Sequence, residues 1–330
     1  MTTIRWGILG TGLMAGRFAN CLRLLPDADL VAVASRSLPV AHAFADAHGI
    51  PVRHGGYEPL IADPRIDAVY VATPTTLHRD NTIRSLEAGK AVLCEKPFSV
   101  DATEAAEMVA CARRHGRLLM EAMWSRFVPA MRQAQRWLQA GAVGDVRMVM
   151  ADFGFRASAE DMPKWASRAV AGGALMFVGV YPVSLAAMAY GREPEEVAAL
   201  CDMTAPWADQ QTGMLMRYAG GGLAILAGAV GTKTPRFGAI LGSTGGIRLD
   251  EPFYCSGAAT LTVPGKPPLR CSFPVEGEGY HYQIAAFMAS LRAGDQDNAV
   301  MRLDESISVM RTLDRLRAAI GLDFTASAAR

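Results

Sequence analysis

One alternation constrains this chain more than anything else in it. Ile4–Leu9 (IRWGIL) is a short apolar run, and Leu13–Leu25 then follows helical spacing. Leu30–Ala34 (LVAVA) is a second run, and Leu38–His48 is again helical, stopping at Gly49 with Pro51 beyond. Glycine just past a helix, followed by proline, is a physical stop signal. The cycle continues with a strand at Ala68–Ala72, a helix at Leu77–Ala88 closed by Gly89, and a strand at Ala91–Cys94. Asp101 then opens a helix, Glu104 completes its capping box, Gly116 ends it, and Arg117–Glu121 reads as a strand. Strands that are apolar throughout must be covered on both faces. The spacing therefore predicts α/β architecture, a parallel sheet between two layers of helices.

The pattern changes after about Glu121. Val128–Gln139 and Pro182–Tyr190 have helical spacing, and Val146–Phe155 alternates as a strand does. From Val197 to about Phe273, strand-like runs are split by glycine and proline, which predicts an open, mostly antiparallel sheet. Tyr282–Ala293 and Asp304–Ile320 read as closing helices, and the terminal TASAAR as a frayed end. Two domains are expected, 1–122 and 123–330, the second of α+β type. A chain of 330 residues, 51% hydrophobic, has ample apolar surface for two cores.

Charge and cysteine content exclude several classes of function. Lysine plus arginine number 33 against 32 acids, so there is no basic field to neutralise a nucleic acid. The six cysteines (Cys21, Cys94, Cys111, Cys201, Cys255, Cys271) form no C-x-x-C pair, and no H-E-x-x-H occurs, so no metal is expected. Scattered thiols, and an N-terminus without a basic n-region or cleavage site, predict a cytoplasmic protein. Ala169–Gly191 carries no charge and is long enough to span a bilayer, but its four glycines, Pro182, Ser184 and two tyrosines fit a buried turn and core helix better. No membrane partner is expected.

The first strand runs into Gly10-Thr11-Gly12-Leu13-Met14-Ala15, a G-x-G-x-x-A turn between strand and helix. Gly10 permits the tight turn, Gly12 admits a pyrophosphate to the backbone, and Ala15 lets the helix lie on the sheet. The helix N-terminus presents unpaired N–H groups to the phosphate. This context reads as a Rossmann dinucleotide site. At the end of the second strand, about 20 residues on, an NAD enzyme places an acid for the ribose diol. Here stand Ser35-Arg36-Ser37, a cation between hydroxyl donors, which predicts NADP(H) over NAD(H).

Another strand runs into Glu95-Lys96-Pro97, at a carboxyl strand end where such sheets bind ligands. The G-x-G-x-x-A turn, E-K-P, MEAMWSRFVPA (Met120–Ala130) and GGALMFVGVYPVSLA (Gly172–Ala186) occur in one order over nearly the whole chain. Together they resemble the glucose–fructose oxidoreductase/inositol dehydrogenase (Gfo/Idh/MocA) family, and within it the dimeric dihydrodiol dehydrogenase and D-xylose dehydrogenase group. The resemblance implies an NADP-dependent oxidoreductase acting on a secondary alcohol or carbonyl of a sugar, cyclic diol or related small molecule. It implies a homo-oligomer formed through the C-terminal sheet. Lys96 would lie beside the nicotinamide and its ribose, with Pro97 cis. Tyr181 would be the proton donor or acceptor at the substrate oxygen. A phenol of pKa about 10 is a poor base at neutral pH, and a neighbouring ammonium, or a helix N-terminus if Pro182 begins the helix, favours its phenolate.

Further candidates follow from position. Thr73, Pro74 and His78 follow the strand AVYVA and line the nicotinamide side, His78 as a packing or helix-start residue rather than a base. Trp124, Arg126 and Phe127 are placed at the substrate mouth by the resemblance. One departure stands out. The family carries an aspartate four residues before the tyrosine, where this chain has Phe177, and a second aspartate is replaced around Ser167. Phenylalanine cannot hydrogen-bond a substrate hydroxyl. Phe177 therefore implies either a less hydroxylated substrate or, alternatively, a dinucleotide-binding sensor or scaffold without turnover.

Overall fold

The computed structural model describes residues 2–205, 208–274, 276–322 and 324. The TASAAR terminus lies outside the described residues. Packing divides the chain into two compact units, one of residues 1–124 and 276–306, the other of 125–275 and 307–330.

In the first unit the strands are β1 (Ile4–Leu9), β2 (Ala28–Ser35), β3 (Val52–Gly55), β4 (Ala68–Val71), β5 (Ala91–Glu95) and β6 (Leu119–Ala122). Among the described residues they form a parallel six-stranded sheet in the order β3-β2-β1-β4-β5-β6. Order reverses between β1 and β4, the switch point at which doubly wound sheets open a crevice. Helices α1 (Leu13–Leu22), α2 (Leu38–His48), α3 (Tyr57–Ile61), α4 (His78–Glu87) and α5 (Ala102–His115) connect the strands. Asp101 caps α5 as expected, accepting the Glu104 N–H at 2.9 Å, while the return bond from Glu104 goes to the Val100 N–H at 3.1 Å, one residue before the cap. Strand β3 and helix α3 were not visible in the sequence. β3 is a half-exposed sheet edge reading VRHG, so it carries no apolar run.

In the second unit, helix α6 (Pro129–Gln139) leads to strand β7 (Val146–Gly154) and the short helix α7 (Met162–Trp165). Helix α8 (Val180–Tyr190) precedes β8 (Glu196–Ala205), β9 (Ala208–Arg217), β10 (Leu223–Ala229), β11 (Gly238–Gly242), β12 (Gly246–Leu249), β13 (Ala258–Thr262) and β14 (Leu269–Ser272). These strands make an eight-stranded sheet in the order β14-β13-β12-β11-β7-β10-β9-β8, antiparallel except where β10 runs parallel to β7. One face packs on α6 and α8, burying Val149, Ala151, Met214, Met216, Ala224 and Leu226.

Helices α9 (His281–Ala293) and α10 (Leu303–Ala319) end the chain. Helix α9 packs in the first unit, where Phe287 meets Trp6 with ring centroids 5.0 Å apart. No helix among the described residues is long and apolar enough to cross a membrane. The uncharged stretch is instead a turn and a buried helix, as its glycines and proline predict.

Candidate active site

The glycine turn is built as its sequence requires. Gly10 has φ +106°, and a Cβ there would stand 2.5 Å from the Ala72 carbonyl oxygen of the neighbouring strand end. Its N–H donates to the Ala34 carbonyl at 2.9 Å, so the turn sits between the ends of β2 and β4. Gly12 differs: a Cβ there would meet nothing within 4 Å. The protein's own packing therefore does not require glycine at 12, and the open space fits a ligand approaching the backbone. Thr11 precedes Gly12 in the turn, and Leu13 and Met14 begin α1. That first turn has no acidic residue and no side-chain cap, leaving its N–H groups to an anion. Ala15 is fully buried under the sheet contact.

Ser35 ends β2 and is buried; Ser37 stands just before α2 without a side-chain cap bond, and its N–H donates to the Ser35 hydroxyl at 3.4 Å. Arg36 is exposed between them, and burial raises the Tyr57 phenol's pKa while the nearby Arg36 charge partly offsets it. Tyr57 was not visible as part of the site, because β3 and α3 were not.

Around Lys96 the structure gathers charge. The Lys96–Pro97 peptide bond is cis. Burial pushes the Lys96 ammonium down to about 8, against the pull of Glu95 and Glu121 and with a further push from Arg17. Glu95 is raised by its own burial, partly offset by Lys96, and its carboxylate accepts the Tyr70 hydroxyl. Tyr70 stays a phenol, since burial and then Glu95 drive its pKa well upward. Tyr280 reaches this region from the distant C-terminal part of the unit, receiving a 3.3 Å hydrogen bond from Arg17 and stacking on Trp124 with centroids 4.3 Å apart. Sequence reasoning had Glu95, Lys96 and Pro97 from their motif. It missed Tyr70, Glu121 and Tyr280, which arrive through strand register and chain return.

His78 is buried, its ring nitrogens 3.0 Å from the Pro97 carbonyl and 2.9 Å from the Thr73 carbonyl. Burial drives its pKa down to about 4. The neutral ring has one N–H and so donates to one of these two carbonyls while packing between the Thr73-Pro74 and Lys96-Pro97 loops. Asn81 donates to the Thr73 hydroxyl at 3.3 Å.

In the second unit, a π-helical turn at Leu175–Gly179 runs without a break into α8. Tyr181 is the second residue of α8, yet it does not stand at a helix N-terminus. The expectation that Pro182 begins the helix is corrected: backbone helix starts several residues upstream. A proline inside a helix lacks an N–H and crowds the preceding turn; a wide π turn just before it absorbs that conflict. Asp209 on β9 supplies the acceptor at the helix start, taking the Leu175 N–H at 2.8 Å and the Thr212 hydroxyl. Gly173 must be glycine there: φ is +120°, and a Cβ would stand 2.2 Å from the Asp209 Oδ1.

Tyr181 is buried against two rings, Phe153 at 5.2 Å and Tyr254 at 5.6 Å between centroids. Phe177, one turn earlier, packs on Trp165 at 4.4 Å and Phe155 at 6.3 Å. The alternation of β7 could have indicated Phe153; nothing local pointed to Trp165 or Tyr254. Ser167 closes a loop, its carbonyl accepting the Gly172 N–H at 3.0 Å. Arg126 is 1% exposed, and its guanidinium donates to the Ser184 carbonyl and hydroxyl at 3.3 and 3.2 Å. It thus braces α8. Phe127 beside it is buried.

Residues 4–123 match the model of the oxidoreductase family with an NAD-binding Rossmann fold, and 131–248 that of the GFO/IDH/MocA C-terminal domain. The chain belongs to the GFO/IDH/MocA oxidoreductase family. Within that family it is 35% identical to the human trans-1,2-dihydrobenzene-1,2-diol dehydrogenase over 332 residues, covering 97% of this chain and 98% of the relative. The pig enzyme of the same name is 34% identical over 331 residues, with the same coverage. Among solved structures, a 3-ketoreductase from Actinomadura kijaniata in complex with NADP and TDP-benzene superposes with TM-score 0.83 at 26% identity, covering 97% of this chain and 98% of that one. The aldose-aldose oxidoreductase from Caulobacter crescentus, complexed with glycerol, gives TM-score 0.85 at 25% identity, covering 96% and 97%. The matched N-terminal model is that of an NAD-binding Rossmann fold, and it spans the glycine turn and the six-stranded sheet.

Proposed function

We propose that this chain is an NADP(H)-dependent dehydrogenase or reductase of a cyclic diol, a sugar or a related small molecule, working on one secondary alcohol or carbonyl. The observation that carries the proposal is the buried Lys96 ammonium at a carboxyl strand end of the Rossmann sheet, its pKa held near 8. The dihydrodiol dehydrogenases and the NADP-bound ketoreductase it resembles support a hydroxyl or carbonyl substrate. Domain roles follow, with the cofactor held by 1–122 and the substrate by the rest of the chain apart from 276–306, which packs with the first unit.

Gly10, Thr11, Gly12, Leu13 and Met14 cradle the pyrophosphate; Ser35, Arg36 and Ser37 take the 2′-phosphate; Thr73, Pro74, His78, Glu95, Lys96 and Pro97 form the nicotinamide side. When bound, the nicotinamide supplies or accepts the hydride. Lys96 holds the ribose hydroxyls. Tyr181 gives a proton to the substrate oxygen in reduction and takes it in oxidation. Phe177, Trp124, Arg126 and Phe127 shape the substrate side. With Phe177 packed among Trp165 and Phe155, that wall is apolar and favours ring faces over polyols. The non-catalytic alternative is set aside, because the family is one of oxidoreductases.

The enzyme is further proposed to be cytoplasmic and homo-oligomeric. Leu200, Leu215, Ile225 and Leu241 are exposed large apolar residues of the eight-stranded sheet. Leu215 pairs directly with Ile225, and strand alternation puts Leu200, Met148 and Met150 on the same side, away from the buried Val149 and Ala151. An apolar sheet face of this kind fits an interface with a second copy.

A scan of nicotinamide absorbance over cyclic diols, aldoses and dicarbonyls, with each cofactor, tests the proposal. Turnover with NADP(H) preferred is expected, and Arg36→Ala should raise KM for NADP about tenfold or more while sparing NAD. Preference for NAD, or no turnover on any substrate, would contradict it.

A further inference from the structure

The outer helical layer of the first unit carries a side-chain cluster that the cofactor site does not use. Cys111 and His115 stand one turn apart on α5, so they share a face. Glu87 is the last residue of α4, which packs alongside α5. One donor atom of each, the thiol sulfur, an imidazole nitrogen and a carboxylate oxygen, lies within 4.8 Å of the other two. A tetrahedral zinc ion binds such donors at about 2.0–2.3 Å, which sets them roughly 3.5 Å apart, a gap closed by small side-chain rotations.

The surroundings of the cluster bear on whether an ion can enter. Glu87 and His115 are the C-terminal residues of their helices, whose ends carry partial negative charge, set against the cations Arg84, Arg113 and Arg114 in the same last turns. The Cys111 thiol is only weakly engaged, its sulfur 3.9 Å from the Ile83 carbonyl oxygen. Glu87 and His115 are exposed, which gives an ion a path in, while Cys111 is buried beneath them. The mixed donor set selects the metal. Thiolate and imidazole suit zinc and its first-row neighbours; magnesium and calcium take oxygen ligands.

We propose that Glu87, Cys111 and His115 form a three-ligand site for a thiophilic divalent transition metal, with zinc the natural occupant and water completing the coordination. Loading forms a metal–sulfur bond and releases the thiol proton to solvent, with no change of oxidation state. The ion would staple the end of α4 to α5 and stabilise the fold. The sequence, with no H-E-x-x-H and no clustered His/Cys/Asp set, predicts no metal; the packing of α4 on α5 is what brings Glu87 to Cys111 and His115.

Cobalt(II) titration of the full-length protein provides the test. A sulfur-to-cobalt charge-transfer band that saturates at one equivalent and is displaced by zinc is expected. Cys111→Ser should abolish the band, and His115→Ala, a surface change that leaves the core intact, should weaken binding by at least about tenfold. Zinc should raise the thermal midpoint of the wild type and leave that of Cys111→Ser unmoved. Absence of the band, or its survival in Cys111→Ser, overturns the proposal.

Discussion

At the scale of single residues, Lys96 is the group whose environment says most. Its folded pKa of about 8 lies below the ordinary lysine value because burial penalises the ammonium more than Glu95 and Glu121 support it. The ammonium is therefore present below pH 8 and lost above it. If the reaction needs the cation, kcat/KM falls as pH rises through about 8. Lys96→Met should remove that limb and lower kcat/KM by about 10²- to 10⁴-fold; a limb unmoved in Lys96→Met would assign it to another group. The residues legible in the sequence here were those tied to a local motif. Gly10, Gly12 and Lys96 stand where backbone geometry and strand ends demand them. Tyr70 and Tyr280 were not legible, because a phenol inside AVYVA or before a late helix carries no sign of its tertiary partner.

At the scale of elements, the helix that carries Tyr181 is held by a residue far away in sequence. Asp209 caps its start through the Leu175 N–H and ties the cap to β9 through Thr212. Asp209→Ala leaves both donors buried and should cost about 2–3 kcal/mol in urea unfolding. Asp209→Asn, which keeps an acceptor oxygen, should cost less, and equal losses in the two variants would refute the cap. Helices with a strong local stop, at Gly49 and Gly116, were read to within a residue. The start of the α8 helix was not, since Pro182 is a local breaker that a π turn overrules. Strand β3 escaped for the opposite reason, because an edge strand needs only one apolar side.

At the scale of the whole molecule, periodicity was enough to predict a parallel sheet followed by an open, mostly antiparallel one. It could not say which core α9 joins, because an amphipathic helix names its buried face and not its partner. The open face of the second sheet makes a prediction of its own. Leu215→Glu with Ile225→Glu places charges on directly paired strand positions, and in sedimentation or size-exclusion measurements the variant should run as a monomer while the wild type runs as a dimer. A monomeric wild type would remove the interface. The most direct measurement on the chemistry is steady-state nicotinamide absorbance for Tyr181→Phe, with NADPH binding followed separately by fluorescence. Cofactor affinity should hold while kcat falls by about 10²- to 10⁴-fold; turnover equal to that of the wild type would contradict Tyr181 as the proton-transferring group.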